Sequence, residues 1–445
     1  MNLGQVISRN TEAPTLTDLS PRRLVSRQPI FSGNRDVVGY ELLFRTGWHS
    51  CFFPDSAEAS EQAWIECLHT GIETLTAKRL AFIKCTREDL VTKMVMALPV
   101  KTTVLEVPPS SAPSEDDELL AACIELRDMG YLFALDDFLP GPAVAPLLQI
   151  ASYVKVNFRD TNPEIRRETK RITRATKAVL LATMVEDHLE FAMARAEGFE
   201  LFQGRFFRNP MLIANRAIPP SRMAYLRLMM ELARSAINLD EVMRIVQSEP
   251  TLCYRLLVMA NSPLWGVRSE VTSPRHALNL IGENRFRTLV SVATSCVLGQ
   301  SQPSALIGLS LKRAHFGEML APLVNQNPSE QFMLGLLSLL DAMLETPMEP
   351  LLKTLPLRPE AKAALMGESS TVGVLLGLIQ NLESGDWERC VTTAQTLGIS
   401  EEALAAAYIE SIKWATEAVA SSRDAFRDEQ PRAVIPALRL AKSLP

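Results

Sequence analysis

No stretch of the sequence approaches the roughly 18 uninterrupted apolar residues that a transmembrane helix needs. The first twenty residues, MNLGQVISRNTEAPTLTDLS, are polar and contain no apolar core typical of a signal peptide. These two absences argue against an ordinary membrane protein and against secretion. We therefore expect a cytoplasmic protein with no membrane partner.

Excess charge and clustered metal-binding side chains are also missing. The 46 Lys and Arg nearly balance the 51 Asp and Glu, so the net charge is only -5 and gives no basic footprint for nucleic acid. The seven cysteines are scattered without CxxC spacing, which predicts reduced core residues and no zinc site. The five histidines are isolated and are predicted to be surface or capping residues, not ligands: His49, His69, His188, His276 and His315.

The chain is long enough, at 445 residues, for two or three domains. After a start predicted to be flexible (1–22), residues 23–212 alternate short β-rich runs with helical stretches, among them 58–77, 163–176 and 187–197. Such alternation predicts parallel strands joined by crossover helices, and a (β/α)8 barrel is the natural closure. The N-terminal half is therefore expected to be an α/β barrel.

The pattern changes after a boundary near Pro219-Pro220. Residues 213–395 carry apolar positions at helical spacing, with prolines and glycines between them and no β-rich run. A further helical segment and a polar tail follow in 396–445. The second half is therefore predicted to be all-helical.

Polar residues recur near the C-terminal ends of the predicted strands. In a (β/α)8 barrel these ends converge on the face where active sites are built. Eight such positions indicate a functional site, past or present: Glu41, Lys84, Glu106, Asp136, Asp137, Lys155, Glu186 and Gln203. Taken alone, Asp136 and Asp137 could equally be a helix cap and a solvated neighbour.

Several segments resemble a known family. RQPIFSGNRDVVGYELLFR, ALDDF, YVKVNFRD and GFELFQGRFFRNP resemble the EAL-type barrel of bacterial cyclic-di-GMP phosphodiesterases. NSPLWGVRSEVTSPRHALNLIGENRFRTLV and FMLGLLSLLDAML resemble the HDOD domain, which follows that barrel in one branch of the family. The resemblance covers roughly residues 22 to 395 and implies a cyclic-di-GMP signalling protein.

The resemblance implies the chemistry of active EAL enzymes, in which two divalent cations, Mg2+ or Mn2+, activate water to cut one phosphodiester of cyclic di-GMP. Lys155 matches the lysine thought to orient the attacking water. The matches to the carboxylates and to the late glutamine are Glu41, Glu106, Asp136, Asp137 and Gln203.

Two ligand positions depart from the family pattern. Lys84 stands where the family has a metal-binding asparagine, and Thr183 stands where it has a glutamate. Asn157 replaces a usual aspartate, and the loop 139–143 lacks the usual glycine pattern that couples metal binding to dimerisation. An ammonium among carboxylates repels divalent cations while neutralising its neighbours, unless Lys84 extends into water instead.

The helical half also lacks the His-Asp pair of the metal-dependent phosphohydrolases from which HDOD takes its name, because the matching stretch ends Leu339-Leu340-Asp341. We therefore expect no resident metal or other cofactor and a non-catalytic regulator that binds protein partners through its HDOD domain. Two alternatives stay open: a weak Mg2+- or Mn2+-dependent cyclic-di-GMP phosphodiesterase, and a cyclic-di-GMP receptor using Lys84, Arg45 and Lys155. The sequence leaves a homodimer possible and the partner unidentified.

Overall fold

The structure, a computed structural model, describes residues 25–44, 71–107, 117–142, 144–209, 220–234 and 236–423. The predicted flexible start, Arg45, most of the helix predicted over 58–77 and the boundary residue Pro219 lie outside these ranges. The polar tail after residue 423 also lies outside them.

The N-terminal region is a closed barrel in which each strand pairs with the next and the last pairs with the first. An α/β barrel followed by an all-helical region is the predicted fold class, and the structure confirms it. The strands are β1 Val25–Ser32, β2 Val37–Phe44, β3 Leu80–Lys84, β4 Thr103–Val107, β5 Leu132–Leu135, β6 Tyr153–Asn157, β7 Val179–Thr183 and β8 Leu201–Gln203.

The prediction that the barrel strands are parallel is wrong for β1. This strand pairs antiparallel with β2 and with β8, whereas β2 to β8 pair parallel with their neighbours. The reason is the connection: only residues 33–36 join β1 to β2, with Arg35 at a φ of 65°. A parallel connection needs about a dozen residues or more, so a turn this short forces a hairpin.

Helices follow the strands along the barrel: α1 Ile72–Thr76, α2 Arg87–Val91, α3 Asp117–Asp128, α4 Ala145–Leu148, α5 Pro163–Thr173 and α6 His188–Glu197. Their ends follow local chemistry. Asn162 caps α5 by accepting from the Glu164 backbone N–H, and Asp187 caps α6 in the same way through Glu190. The predicted helices 163–176 and 187–197 are thus present, within three residues of the expected ends.

The barrel interior is filled by one apolar layer: Ile30, Val38, Phe82, Val104, Ala134, Tyr153, Leu181 and Leu201. The Phe82 and Tyr153 rings meet edge to face, with centroids 5.2 Å apart. Because side chains alternate along a strand, a residue two positions after a member of this layer faces inward again, one level higher. This register places the candidate site residues.

Residues 220–423, as far as the structure describes them, form helices and no strand. The helix over Pro274–Leu298 breaks at Gly282, which has a φ of 77°. The helices are α7 Pro220–Leu232, α8 Leu239–Ser248, α9 Pro250–Ala260, α10 Pro274–Leu298, α11 Ser304–Leu320, α12 Pro328–Leu337, α13 Leu340–Leu344, α14 Met348–Thr354, α15 Pro359–Leu365, α16 Val374–Ser384, α17 Trp387–Thr396 and α18 Glu401–Arg423. Within the described ranges, no helix is long and apolar enough to span a membrane.

The helical region packs directly on the barrel. Phe31 and Phe206 of the barrel belong to the same buried hydrophobic core as Leu382 and Tyr408. Ser26 on β1 donates its hydroxyl to the Leu382 carbonyl at 2.8 Å. Helix α18 lies against α11, so the segment 396–445 shares this core through its described part. The predicted boundaries between the four segments stay predictions.

Candidate functional site

The polar side chains predicted to share a site lie at the C-terminal mouth of the barrel. Lys84, Glu106 and Asp136 each follow a residue of the apolar interior layer by two positions, so the strand period points them inward. The same relation holds for Lys155, Thr183 and Gln203. Regular alternation along neighbouring strands thus builds a polar layer above the apolar one.

Lys155 is at the centre of this layer and is only 1% exposed. Its Nζ lies 2.6 Å from Glu106 Oε1, 3.1 Å from Glu41 Oε2 and 3.1 Å from Asp136 Oδ1. A single buried ammonium therefore bridges carboxylates that project from three strands. Hydrogen-bonded ion pairs are the arrangement in which a buried charge is tolerated.

Lys84 supplies a second cation from the cavity side. Its Nζ lies 2.7 Å from Asp136 Oδ2 and 3.6 Å from Glu41 Oε1. The side chain is 31% exposed, whereas those of Glu41 and Asp136 are exposed by 6% and 10%. Lys84 therefore points into the carboxylate cluster and does not extend away into water.

The pKa values of the three acidic side chains shift in different directions. Burial alone would raise the pKa values of Glu41 and Asp136, but Lys155 and Lys84 outweigh burial and lower both. Burial and the adjacent Glu41 raise the pKa of Glu106 to about 8, although Lys155 opposes this shift. The Oε2 atom of Glu106 is buried without a hydrogen-bond partner among the described residues. The cluster thus combines three acidic groups with two ammonium groups, and Glu106 binds a proton more readily than Glu41 or Asp136 does.

The adjacent aspartates do not act as a pair. Asp136 is buried and faces the two lysines, whereas Asp137 is exposed and has a left-handed backbone with a φ of 40°. Burial and the neighbouring Asp136 raise the pKa of Asp137. The fold therefore provides cations for Asp136, whereas Asp137 lies exposed at the wall of the same cavity.

The remaining candidates surround the cluster. Gln203 donates from Nε2 to Glu41 and to Gln28 Oε1, the latter at 3.0 Å. Glu186 sits further out, where its Oε2 accepts from Arg205 Nε at 2.6 Å. Thr183 is buried at the end of β7 and lines the cavity.

The mouth opens into a cavity of about 410 Å³. The barrel supplies most of its wall, but Glu383 and Ser384 at the end of α16 also line it. Arg205 and Arg208 add positive charge beside Lys84. The helical region thus contributes directly to the barrel mouth.

Divalent cations do not fit this donor set. The lysine ammonium groups already occupy the facing oxygens of Glu41 and Asp136, and Thr183 offers only a neutral hydroxyl. Across the described residues, no group of three or more His, Cys, Asp or Glu is arranged to hold a metal ion. A two-metal centre needs a dense carboxylate shell, and here that charge is neutralised within the protein.

Sequence reasoning missed three features of the mouth. It treated Lys84 as the main counter-ion, whereas Lys155 makes three ion pairs and Lys84 two. It overlooked Gln28, although this residue lies on β1 two positions before the interior residue Ile30. It also missed Glu383, for which no sequence signal existed because the residue comes from a distant helix.

Asp341 and the described histidines make contacts of their own. Asp341 lies at the start of α13, and burial raises its pKa. His188 contacts the Asn209 carbonyl at 2.9 Å, and His315 lies 3.1 Å from Glu318 and stacks on Trp414. His276 lies in the first turn of α10, where its Nδ1 accepts from the Thr272 backbone N–H. His49 and His69 are outside the described residues.

Comparison with known proteins identifies the class that the barrel and helical region define. An HDOD domain model matches residues 218–344. The chain is 31% identical over 400 residues to "Cyclic di-GMP phosphodiesterase CdgJ" of Vibrio cholerae serotype O1, covering 88% of this chain and 92% of that protein. It is 30% identical over 411 residues to the uncharacterized protein YuxH of Bacillus subtilis, covering 88% and 98%. The chain therefore belongs to the EAL-HDOD family.

Solved structures similar to the barrel region include a PaMucR phosphodiesterase in complex with c-di-GMP. That likeness has 20% identity and a TM-score of 0.36, and covers 41% of this chain and 94% of that chain. A Klebsiella pneumoniae BlrP1 complex with calcium and c-di-GMP shows 19% identity and a TM-score of 0.35, covering 41% and 54%.

Proposed function

We propose that this protein is a regulatory member of cyclic-di-GMP signalling whose EAL barrel does not hydrolyse cyclic di-GMP at an enzymatic rate. The observation that carries the proposal is the position of Lys84 Nζ, 2.7 Å from Asp136 Oδ2 and 3.6 Å from Glu41 Oε1. An ammonium at this point neutralises the oxygens that a divalent cation would need and repels the cation itself. Lys155 Nζ lies 3.1 Å from the other oxygen of each of these two carboxylates, so the cluster has little uncompensated charge with which to attract a metal.

The output of such a protein is binding, and the helical region is the part proposed to bind. The family match over residues 218–344 supports an HDOD domain that docks protein partners. Helix α16 of the helical region ends at the barrel mouth, so a structural change at the mouth would act directly on that region. We include in this proposal that the protein forms a homodimer. Light scattering on the purified protein would measure its molar mass and test this.

A weak metal-dependent phosphodiesterase is the second candidate. It is favoured by the phosphodiesterase name of the Vibrio cholerae relative and by the presence of Glu41, Glu106, Asp136 and Lys155 at the mouth. In that case Mg2+ or Mn2+ would have to displace Lys84 from Asp136. Such displacement is the step that the ion-pair geometry opposes.

A receptor that binds cyclic di-GMP without cutting it is a third candidate. The cavity of about 410 Å³ favours it, because Lys84, Arg205 and Arg208 line the wall and phosphates need such partners. Lys155 is not available for this role, since its three carboxylate contacts bury it. Arg45, the other cation expected from the sequence, lies outside the described residues.

One experiment separates the three. The purified protein is incubated with cyclic di-GMP with and without millimolar Mg2+ or Mn2+, and both turnover and binding heat are measured. We expect negligible hydrolysis under every condition. Metal-dependent turnover on the order of 1 per second or faster establishes the enzyme and rejects the proposal. Saturable binding without turnover establishes the receptor.

A further inference from the structure

A second cavity, of about 430 Å³, lies between the barrel and the helical region and shares Pro29, Phe207 and Arg208 with the wall of the mouth cavity. Its barrel side is formed by β1, β2 and the residues after α1, and its helical side by α11 and α18. Binding sites occur preferentially at such junctions, and the volume is within the usual range for small ligands.

The wall carries four cationic side chains, Arg27, Arg79, Arg208 and Lys312, and no Asp or Glu among the lining residues that the structure describes. Arg27 is held in place: its Nη1 donates to the Leu75 carbonyl at 2.6 Å and its guanidinium lies 4.6 Å from the centre of the Tyr40 ring. A concave surface with one sign of charge and low-dielectric walls concentrates ions of the opposite sign.

Among the described residues, the positive charge buried behind the wall is only partly balanced. Glu383 is shared by three cations, with its oxygens 2.7 Å from Arg313, 3.1 Å from Lys312 and 3.5 Å from Arg208. One carboxylate against three cations leaves an excess positive charge. The Nε of Arg208 is also buried with no hydrogen-bond partner among the described residues. An anion in the cavity would offset this charge and could accept from that donor.

Most of the remaining wall is apolar, and there is open space beside α11. Val37, Phe207, Leu309 and Val419 line the cavity, and a Cβ built on Gly308 meets no atom within 4 Å. A ligand of mixed character suits such a wall: a charged head near the arginines and an apolar body against the helices. Arginine forks match the oxygens of a phosphate group in pairs.

We propose that this interdomain cavity, lined by Arg27, Arg208 and Lys312, binds a small organic phosphate with an apolar or aromatic body. The site adjoins the mouth cavity at Arg208, but Arg27 and Lys312 line only this cavity, and the proposal does not depend on the function proposed for the mouth. Its occupant joins the barrel to the helical region, because the cavity wall comes from both.

Phenyl phosphate and inorganic phosphate are suitable probes, since they share the head group and only one has an aromatic body. Binding is measured by calorimetry and by thermal stabilisation of the full chain. We expect phenyl phosphate to bind at millimolar concentration or tighter and to stabilise the protein more than inorganic phosphate does. Gly308→Leu fills the cavity without touching an ion pair and should weaken phenyl phosphate binding at least tenfold.

Gly377→Leu is the matched control. Gly377 is also a glycine inside a helix with no atom within 4 Å of its Cβ position, and it is not among the residues lining this cavity. It should keep the affinity of the parent, as should Lys84→Asn at the barrel mouth. The proposal is overturned if neither probe binds, if Gly308→Leu binds as the parent does, or if Lys84→Asn abolishes binding instead.

Discussion

Lys84 Nζ lies 2.7 Å from Asp136 Oδ2, so an ammonium group from β3 stands against the carboxylate that follows β5. The same lysine is 3.6 Å from Glu41, and Lys155 contacts both carboxylates from the other side. The charges of the mouth are therefore compensated by side chains of the chain itself. A site of this kind is stable without a cation, and an incoming cation must break ion pairs to enter.

Replacing Lys84 tests whether this compensation stabilises the barrel. Lys84→Ala leaves Asp136 and Glu41 with one ammonium instead of two and should lower the free energy of unfolding by about 1–3 kcal/mol. The value falls between about 1 for an exposed pair and about 3–5 for a buried one, since the Lys84 side chain is 31% exposed. Denaturant melts at neutral pH measure it.

A matched control uses Lys353, which pairs with Glu349 on an exposed helix face where its side chain is 72% exposed. Lys353→Ala should cost no more than about 0.5 kcal/mol. Adding Asp136→Asn to Lys84→Ala should recover part of the loss, because it removes one of the carboxylate charges that then share the single ammonium group of Lys155. A Lys84→Ala change of only a few tenths of a kcal/mol would mean that this ion pair does not support the fold.

Glu106 predicts a pH dependence of stability. Its pKa of about 8 in the folded protein is above the usual 4.5, so its contribution is fully present below pH 4.5 and is lost as the pH rises to 8. Glu106→Gln cannot ionise and should lack this loss. The parent should therefore lose stability relative to Glu106→Gln between pH 5 and 8, by at most about 1.4 kcal/mol per pH unit. Parallel pH curves for the two proteins would rule out a protonated Glu106.

The polar layer of the mouth was predictable from the sequence because it follows from strand periodicity. Phe82 and Lys84, Val104 and Glu106, and Tyr153 and Lys155 are separated by two positions, so each pair faces the barrel interior. The antiparallel direction of β1 could also have been predicted, because only four residues connect it to β2. The strand–helix alternation of the following segments led instead to the prediction of parallel strands.

The contacts between distant elements were not predictable in the same way. A strand position shows that Lys155 points inward, but not that three carboxylates converge on its Nζ. The arrival of Glu383 at the barrel depends on how α16 packs against β1, and no local pattern encodes that packing. Sequence periodicity therefore predicts layers, whereas the pairing within and between them requires coordinates.

Rebuilding the ligand set should restore metal binding. Lys84→Asn with Thr183→Glu removes one positive charge and adds one negative charge at the cavity wall beside Asp136. Coulomb attraction for Mn2+ or Mg2+ should rise steeply, and a metal that binds only the folded state raises its stability. A free metal concentration of 100 times the dissociation constant would raise the free energy of unfolding by about 2.7 kcal/mol. Thermal melts across a Mn2+ titration measure the gain.

Two comparisons make this result specific to the mouth. Lys84→Ala alone should gain less stabilisation by metal than the double variant, because it lacks the new carboxylate. Added chelator should return the double variant to its metal-free melting temperature. Equal metal responses in the parent and the double variant would show that positions 84 and 183 do not face a common metal site.

Glu383 predicts that the barrel and the helical region unfold together. Glu383→Gln leaves Arg313, Lys312 and Arg208 without their shared carboxylate and should cost about 3–5 kcal/mol, as for a broken buried ion pair. The shared core and the bond from Ser26 to the Leu382 carbonyl tie the two regions at the same place. The loss should therefore appear in both.

Buried cysteines report on each region separately: Cys85 and Cys123 in the barrel, Cys296 and Cys390 in the helical region. Their alkylation is followed by mass spectrometry along a denaturant series. All four should become reactive at the same denaturant concentration, and Glu383→Gln should lower that concentration for all four. The exposed neighbour Glu388, changed to Gln, is the control and should shift stability by no more than about 0.5 kcal/mol. If the barrel cysteines keep the parent midpoint while the helical ones shift, Glu383 stabilises only its own region and the two unfold independently.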